Sequence, residues 1–78
     1  MFTEQDLFDL EQARIMGRNG VAKMAREARG FSLREVAKTI GTSPVTILYW
    51  ERGDRRPSGG RGAAWGRLTR EFIRRSES

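Results

Sequence analysis

The 78-residue chain contains no cysteine and no histidine. Without cysteine it has neither a disulfide framework nor a thiolate zinc site, and without histidine the other usual metal ligand is missing. No carboxylate pair is embedded in a recognisable motif, so no catalytic constellation remains. The sequence therefore predicts a protein that is not an enzyme and that has no metal site and no cofactor.

Long apolar runs are also missing. No stretch of 18 apolar residues occurs, so no segment is predicted to cross a membrane. The N-terminus is acidic, with Glu4, Asp6, Asp9 and Glu11 among its first residues, which is unlike the basic and then apolar start of a signal sequence. We expect a soluble, cytoplasmic protein.

Positive charge, by contrast, is abundant and unevenly distributed. The chain has 15 basic and 10 acidic residues, a net charge of +5 and an isoelectric point near 11.0. All of the basic residues follow residue 13, so an acidic start precedes a strongly basic body. Such a body favours a polyanionic partner, although a merely soluble basic surface is the alternative.

The stretch from Phe31 to Pro57 has the pattern of two short helices joined by a tight turn. Ser32 and Glu35 form a capping box at the start of the first helix, and Gly41 can end that helix with a positive φ. Ser43 and Pro44 suit the start of the second. The four apolar residues of the first helix recur with helical spacing: Leu33, Val36, Ala37 and Ile40. This arrangement predicts a helix-turn-helix.

Within this stretch, the run AKTIGTSPVTILYWERGDRRP resembles the Cro/cI-type, or lambda-repressor-like, helix-turn-helix family, also called the XRE family. The residues that carry the resemblance are Ala37, Gly41, Ile47, Trp50, Glu51, Gly53 and Pro57. The resemblance covers roughly residues 20–75 and implies an all-α fold, a compact bundle of about five short helices. It also implies a structural ion pair between Arg26 and Glu51. This pair would connect the helix that precedes Ser32 to the second helix of the pair, which is called the recognition helix.

Outside the motif, the chain is predicted to complete a single domain over residues 1–78. An extra acidic helix is expected at 1–16, with Leu7, Leu10, Ala13 and Met16 lining one side, the helix-turn-helix at 32–52, and a closing helix at 63–75 after a glycine-rich loop. The first helix either enlarges a small core or binds a partner or a second copy. The glycines between residues 59 and 66 leave the start of the last helix uncertain.

By position in the motif, the second helix of the pair enters the major groove of double-stranded DNA. The predicted base-reading residues are Pro44, Val45, Thr46 and Tyr49. The predicted phosphate-binding residues are Ser43, Arg34, Arg52, Arg55 and Arg56. The reading set has no Asn, Gln or Arg, so specificity is expected to depend on thymine methyl groups and DNA shape.

These features predict a sequence-specific transcriptional regulator, a Cro-like or repressor protein of a phage or other mobile element, which acts by operator occlusion. It would be associated with the nucleoid in the cytoplasm of a bacterial host. The alternative is an antitoxin-like interaction module whose acidic N-terminal helix binds a partner, with DNA binding in support. A possible weak homodimer is expected to form mainly on the operator DNA, because one recognition helix reads too few base pairs to mark a genomic site.

Overall fold

Five α-helices form the regular structure of residues 1–77, the part of the chain that this computed structural model describes. They are α1 (Glu4–Arg18), α2 (Val21–Ala28), α3 (Leu33–Ile40), α4 (Pro44–Arg52) and α5 (Gly59–Ser76). No β-strand occurs within those residues. The predicted all-α bundle of about five helices, with the helix-turn-helix at its centre, is confirmed.

Three of the helices begin at polar side chains whose pattern is visible in the sequence. The Thr3 hydroxyl accepts the Asp6 N–H at 3.1 Å, and the Asp6 carboxylate accepts the Thr3 N–H at 2.8 Å. Ser32 and Glu35 form the same reciprocal box at the start of α3. Ser43 accepts the N–H of the third residue of α4 at 3.2 Å. Each cap pairs backbone donors that a helix start would otherwise leave without a partner.

The core lies where α1, α4 and α5 meet. Ala13 and Ile47 are fully covered, and Trp65 keeps only 2% of its surface exposed. The Trp65 ring packs against the Trp50 ring of α4, with centroids 5.3 Å apart and planes tilted by 47°. A buried tryptophan removes roughly 150–250 Å² from water, which is worth about 4–6 kcal/mol at about 25 cal/mol per Å². This ring contact connects the last helix to the recognition helix.

Glycines allow α1 to approach α5 and α4 very closely. A β-carbon on Gly66 would overlap the Asp9 carbonyl oxygen and would lie 3.1 Å from the Ala13 β-carbon. One turn earlier in α5, a β-carbon on Gly62 would lie 2.8 Å from a Leu10 methyl group. Gly17 in α1 likewise has room for no side chain, because the Trp50 carbonyl oxygen occupies that space. Two of the four glycines that we expected to loosen the start of the last helix, Gly62 and Gly66, are instead contact points between helices, whereas Gly59 and Gly60 face open space.

An ion-pair cluster joins α1 and α5 beside these glycines. Asp9 has no exposed surface, and its carboxylate accepts a hydrogen bond from Arg67 at 2.8 Å and another from Arg70. Arg67 also donates to the Asp6 carboxylate at 2.7 Å, and Gln5 donates to Asp9 at 3.1 Å. Burial alone would raise the pKa of Asp9, but these hydrogen bonds outweigh it and lower the pKa from 3.8 to about 2. The carboxylate therefore stays charged and holds the two helices together.

Two expectations about the ends of the chain differ from the structure. The last helix begins at Gly59 rather than at residue 63, so the last four residues of the expected glycine-rich loop belong to α5. In α1, Leu7 was expected to line the core but is 58% exposed, and the inward position is taken by Asp9. The apolar pattern was misleading here because a carboxylate paired with two arginines can be buried in place of a leucine.

Candidate nucleic-acid interface

The helix-turn-helix pair consists of α3, a turn at Gly41 and α4. Gly41 takes a φ of 89°, the left-handed conformation that side-chain-bearing residues avoid. Its N–H and the N–H of Thr42 both donate to the Ala37 carbonyl, at 2.8 and 2.9 Å, which closes α3. Val36 and Ala37 of α3 pack with Ile47 of α4 in the core, so the opposite side of α4 faces outward.

An ion pair fixes α4 to α2. The Arg26 guanidinium donates two hydrogen bonds to the Glu51 carboxylate, at 2.6 and 3.1 Å, and a third to the Phe31 carbonyl at 2.8 Å. The side chains are 11% and 2% exposed, respectively. The hydrogen bond to Glu51 raises the pKa of Arg26, with burial acting in the opposite direction. This two-pronged contact sets the orientation of the recognition helix from its buried side.

The residues predicted to read bases lie on the outward side of α4. Pro44 and Val45 are exposed, Val45 by 53%, whereas Thr46 and Tyr49 are half-buried. The Thr46 hydroxyl lies 2.9 Å from the Ser43 hydroxyl, within hydrogen-bond distance. The first turn of α4 thus presents an isopropyl group, a threonine methyl group and two linked hydroxyls to the surroundings.

Tyr49 is linked to the loop that follows α4. The Arg55 guanidinium lies over its ring, 4.9 Å from the centroid, and the Tyr49 carbonyl accepts the N–H groups of Asp54 and Arg55 at 3.0 and 3.4 Å. A predicted base-reading side chain and a predicted phosphate-binding side chain are therefore stacked on each other, as a cation and an aromatic ring often are.

The other predicted phosphate ligands differ in how free they are. Arg34 and Arg56 are exposed and make no hydrogen bond or ion pair within residues 1–77. Arg52 pairs with Asp54 at 3.2 Å, in a contact that is well exposed on both sides. Ser43 is exposed, and its hydroxyl already caps α4 by accepting the Thr46 N–H.

Two further arginines, which the sequence analysis did not select, lie next to the loop after α4. Arg14 Nε donates to the Pro57 carbonyl at 3.0 Å, and the Arg18 backbone lies against Gly53 at the end of α4. The sequence held only a weak signal for them, a pair of basic residues four positions apart at the end of an otherwise acidic helix. Only the packing of α1 brings that pair to the loop.

The described structure thus has the architecture of a helix-turn-helix DNA-binding domain, and comparison with known proteins agrees. Residues 23–63 match the model of a helix-turn-helix family. The match covers more than half of the chain, and the chain belongs to the XRE-type, lambda-repressor and Cro-like helix-turn-helix family. This is a family of DNA-binding transcription regulators, not a family of enzymes. Comparison with curated proteins and with solved structures gave no match.

The family model begins after α1 and ends within the first turns of α5. The close packing of α1 on α5 therefore lies largely outside the shared region. None of the helices described in residues 1–77 is long and apolar enough to cross a membrane.

Proposed function

We propose that the protein is a sequence-specific repressor of the Cro type, encoded by a phage or other mobile element, which acts by occupying an operator. The observation that carries the proposal is the exposed first turn of α4, where Val45 and Thr46 face outward from a helix fixed on its opposite side. In a helix-turn-helix, the N-terminal residues of that helix contact base edges in the major groove.

The chemistry of the reading surface favours thymine. The Val45 isopropyl group and the Thr46 methyl group match the thymine C5-methyl group, which projects into the major groove. The Thr46 and Tyr49 hydroxyls would hydrogen-bond to base edges. Pro44, at the first position of α4, would pack against the DNA without donating a hydrogen bond.

Phosphate contacts would hold the protein in register on both sides of the groove. Arg34 at the start of α3 and Ser43 at the start of α4 would bind one strand, with Arg52, Arg55 and Arg56 at the far end of α4. Four or five such contacts predict that log affinity falls with log salt at a slope of roughly −4.

The size of the protein supports a mechanism of operator occlusion. The chain extends over 31 × 28 × 22 Å, so that one copy covers about nine base pairs at about 3.4 Å per pair. Two copies on half-sites about 34 Å apart would cover a stretch long enough to exclude polymerase. The protein would act in the cytoplasm of its bacterial host, associated with the nucleoid.

We also propose that two copies pair mainly on DNA. The large apolar side chains of α5 are used in the core, as the burial of Trp65 and Phe72 illustrates. The exposed large apolar side chains are dispersed, with Leu7, Phe8 and Ile15 on α1, Met24 on α2 and Phe31 before α3, and do not form one patch on α5. A free dimer should therefore be weak, and sedimentation at micromolar concentration should find mainly monomer.

Selection of bound fragments from random duplex DNA tests the central proposal. A thymine-containing half-site, repeated with two-fold symmetry, is the expected result. On that site, Thr46→Ala should lose about 1–3 kcal/mol of binding free energy and much less on random DNA. The matched variant Thr46→Val keeps the methyl group and removes the hydroxyl, so it separates thymine contact from hydrogen bonding. Equal losses on both DNAs would show that α4 is oriented differently.

A second candidate is an antitoxin-like function, in which α1 binds a protein partner and DNA binding supports it. The exposed Leu7, Phe8 and Ile15 favour it. Deleting residues 1–16 would not test it, since Asp9, Leu10 and Ala13 belong to the core and their removal should unfold the domain. Leu7→Ser with Phe8→Ser is the suitable test. Loss of regulation in cells with unchanged DNA affinity would support the antitoxin-like function over the simple repressor.

A further inference from the structure

A basic cleft lies between the end of α1 and the loop after α4. It is lined by four arginines from two distant parts of the chain, Arg14, Arg18, Arg55 and Arg56, together with Trp50 and Gly53, and its volume is about 160 Å³. Two of the arginines belong to α1, which precedes the region that matches the family. The family resemblance therefore does not account for this cleft.

The arginines of the cleft differ from most others in the chain. Six arginines form ion pairs with carboxylates: Arg26, Arg52, Arg67, Arg70, Arg74 and Arg75. None of the four in the cleft does so with any carboxylate in residues 1–77. Glu11 lines the adjoining groove beside Arg14 and Arg18 but is not within ion-pair distance of either. The cleft thus gathers positive charge that the described part of the protein leaves uncompensated.

The cleft is also held in shape. Arg14 is half-buried, and its Nε bond to the Pro57 carbonyl fixes the loop against α1. Arg55 is stacked on the Tyr49 ring, and a β-carbon on Gly53 would lie 3.5 Å from the Arg18 Cα. Like charges brought together in a fixed arrangement repel one another, and an anion that enters between them removes that repulsion. Because the Arg14 and Arg55 side chains are already held in place, less entropy is lost when the anion binds.

The position of the cleft indicates which anion it suits. The recognition helix has nine residues, so its two ends are about 13 Å apart at about 1.5 Å per residue. The cleft lies at its C-terminal end, and the reading residues lie at its N-terminal end. That separation is close to the width of the major groove, about 12 Å. A helix that inserts its first turn into the groove therefore carries the cleft toward a flanking phosphodiester strand.

We propose that this cleft binds the DNA backbone beside the groove that α4 enters, and that Arg14 and Arg18 make α1 part of the DNA interface. The inference rests on the proposed function, since it needs α4 to read DNA with its first turn. It extends that function by adding phosphate contacts from a helix outside the shared family region. The expected partner is a phosphodiester strand of duplex DNA, not a free anion.

The test is the salt dependence of binding to random duplex DNA, measured by fluorescence anisotropy. Arg18→Ala should weaken binding about five- to tenfold near physiological salt and make the slope shallower by about 1, since one phosphate contact is lost. Arg18→Lys keeps the charge and should restore the slope. The matched control is Arg75→Ala, which removes an exposed arginine of α5 while Glu71 keeps its contact with Arg74. It should leave the slope unchanged.

Duplex length gives a second readout that a purely structural role of Arg18 would not move. On a duplex that ends at the half-site, the Arg18→Ala variant and the unmodified chain should bind alike. On a duplex extended by several base pairs, only the unmodified chain should gain affinity. Thermal melting of each variant without DNA checks that the fold is intact.

The outcomes separate the two proposals. If the unmodified chain shows no salt-dependent binding to duplex DNA, the proposed function itself fails. If it binds with the full slope and Arg18→Ala behaves like Arg75→Ala, only the role of the cleft is refuted. Inorganic phosphate provides the remaining comparison. If phosphate raises the melting temperature of the free protein through Arg18 while the DNA slope is unaffected by Arg18→Ala, the cleft is a small-anion site and the inference is wrong.

Discussion

The helix-turn-helix pair α3–α4 and the packed pair α1–α5 are built in different ways. In α3–α4, the helix starts and the turn are set by residues within a few positions of one another, as with Ser32 and Glu35 or Gly41 and Ala37. In α1–α5, the decisive contacts join residues more than fifty positions apart, as between Asp9 and Gly66. The first pair is specified locally, and the second exists only once the chain has folded.

The two pairs of helices are therefore expected to have different roles, DNA contact for α3–α4 and structural support for α1–α5. The shared family region contains α4, the helix proposed to read DNA, while α1 and much of α5 form a platform behind it. The platform touches the recognition helix through Trp65, whose ring packs against that of Trp50, and through Gly17, which lies against the Trp50 carbonyl. Changes in the platform should therefore alter stability before they alter base preference, and changes in the outward face of α4 should do the reverse.

The largest effect on stability is expected from the Arg26–Glu51 ion pair, which connects α4 to α2. Replacing Glu51 by alanine leaves the Arg26 guanidinium largely buried without its carboxylate, and the free energy of unfolding should fall by about 3–5 kcal/mol. Urea denaturation measures this loss. Replacing both residues, by Arg26→Met with Glu51→Leu, should recover much of it. A loss of stability under 1 kcal/mol for Glu51→Ala would mean that the helix-turn-helix does not depend on this ion pair.

Close packing of α1 on α5 gives the next largest effect. Gly66→Ala should destabilise the protein by about 1–3 kcal/mol, because the added methyl group would overlap the Asp9 carbonyl oxygen. Gly60→Ala is the matched control, since the same helix leaves open space at that position. It should stabilise the protein by about 0.5–1 kcal/mol through helix propensity. If thermal melting shifts both variants in the same direction, the glycines do not mark helix contacts.

The ion-pair cluster around Asp9 should make the stability of the protein depend on pH more strongly than an exposed ion pair would. Because the folded-state pKa of Asp9 lies near 2, below its ordinary 3.8, its stabilisation is complete above about pH 4 and is lost as the pH falls toward 2. Asp9→Asn should cost about 1–2 kcal/mol at neutral pH, since charge-assisted hydrogen bonds to half-exposed arginines are lost. It should also flatten the acid limb of the stability profile.

Glu71 provides the contrast for that experiment. Hydrogen bonds from Arg74, and then Arg75, lower the pKa of Glu71 from 4.5 to about 2, but these contacts lie within one helix and are open to solvent. Because solvent screens these exposed contacts, Glu71→Gln should flatten the acid limb less than Asp9→Asn does. Equal flattening by the two variants would show that the buried cluster has no special role in joining α1 to α5.

The smallest effect is expected from a single local cap. Ser32→Ala removes the hydroxyl that accepts the Glu35 N–H at 3.0 Å, and should cost about 1 kcal/mol. Ser58→Ala is the control, because Ser58 precedes α5 without making a side-chain cap bond, and it should change little. Urea denaturation of the two variants compares them directly. An equal loss would remove the distinction between a local cap and a bare helix start.

The sequence by itself determined the helix-turn-helix motif. Caps, the Gly41 turn and the apolar spacing of α3 act over a few residues, so they can be recognised in the sequence. The position of each residue in the motif predicted which side of α4 faces outward. The family resemblance supplied the partner of Arg26, which no local rule could have named. These features specified the helix-turn-helix because each depends on neighbours in sequence.

Tertiary structure decided the rest. Glycine in a helical segment costs stability locally, so the glycines led us to expect a loop up to residue 62 and an unsettled helix start. Close contact with α1 instead makes Gly62 and Gly66 suitable inside a helix. Leu7 fitted the apolar pattern and Asp9 did not, yet two arginines from α5 allow Asp9 to be buried. Arg14 and Arg18 likewise lie beside the loop after α4 only because α1 packs there in the folded chain. The position of a side chain in such contacts depends on partners supplied from the other end of the chain.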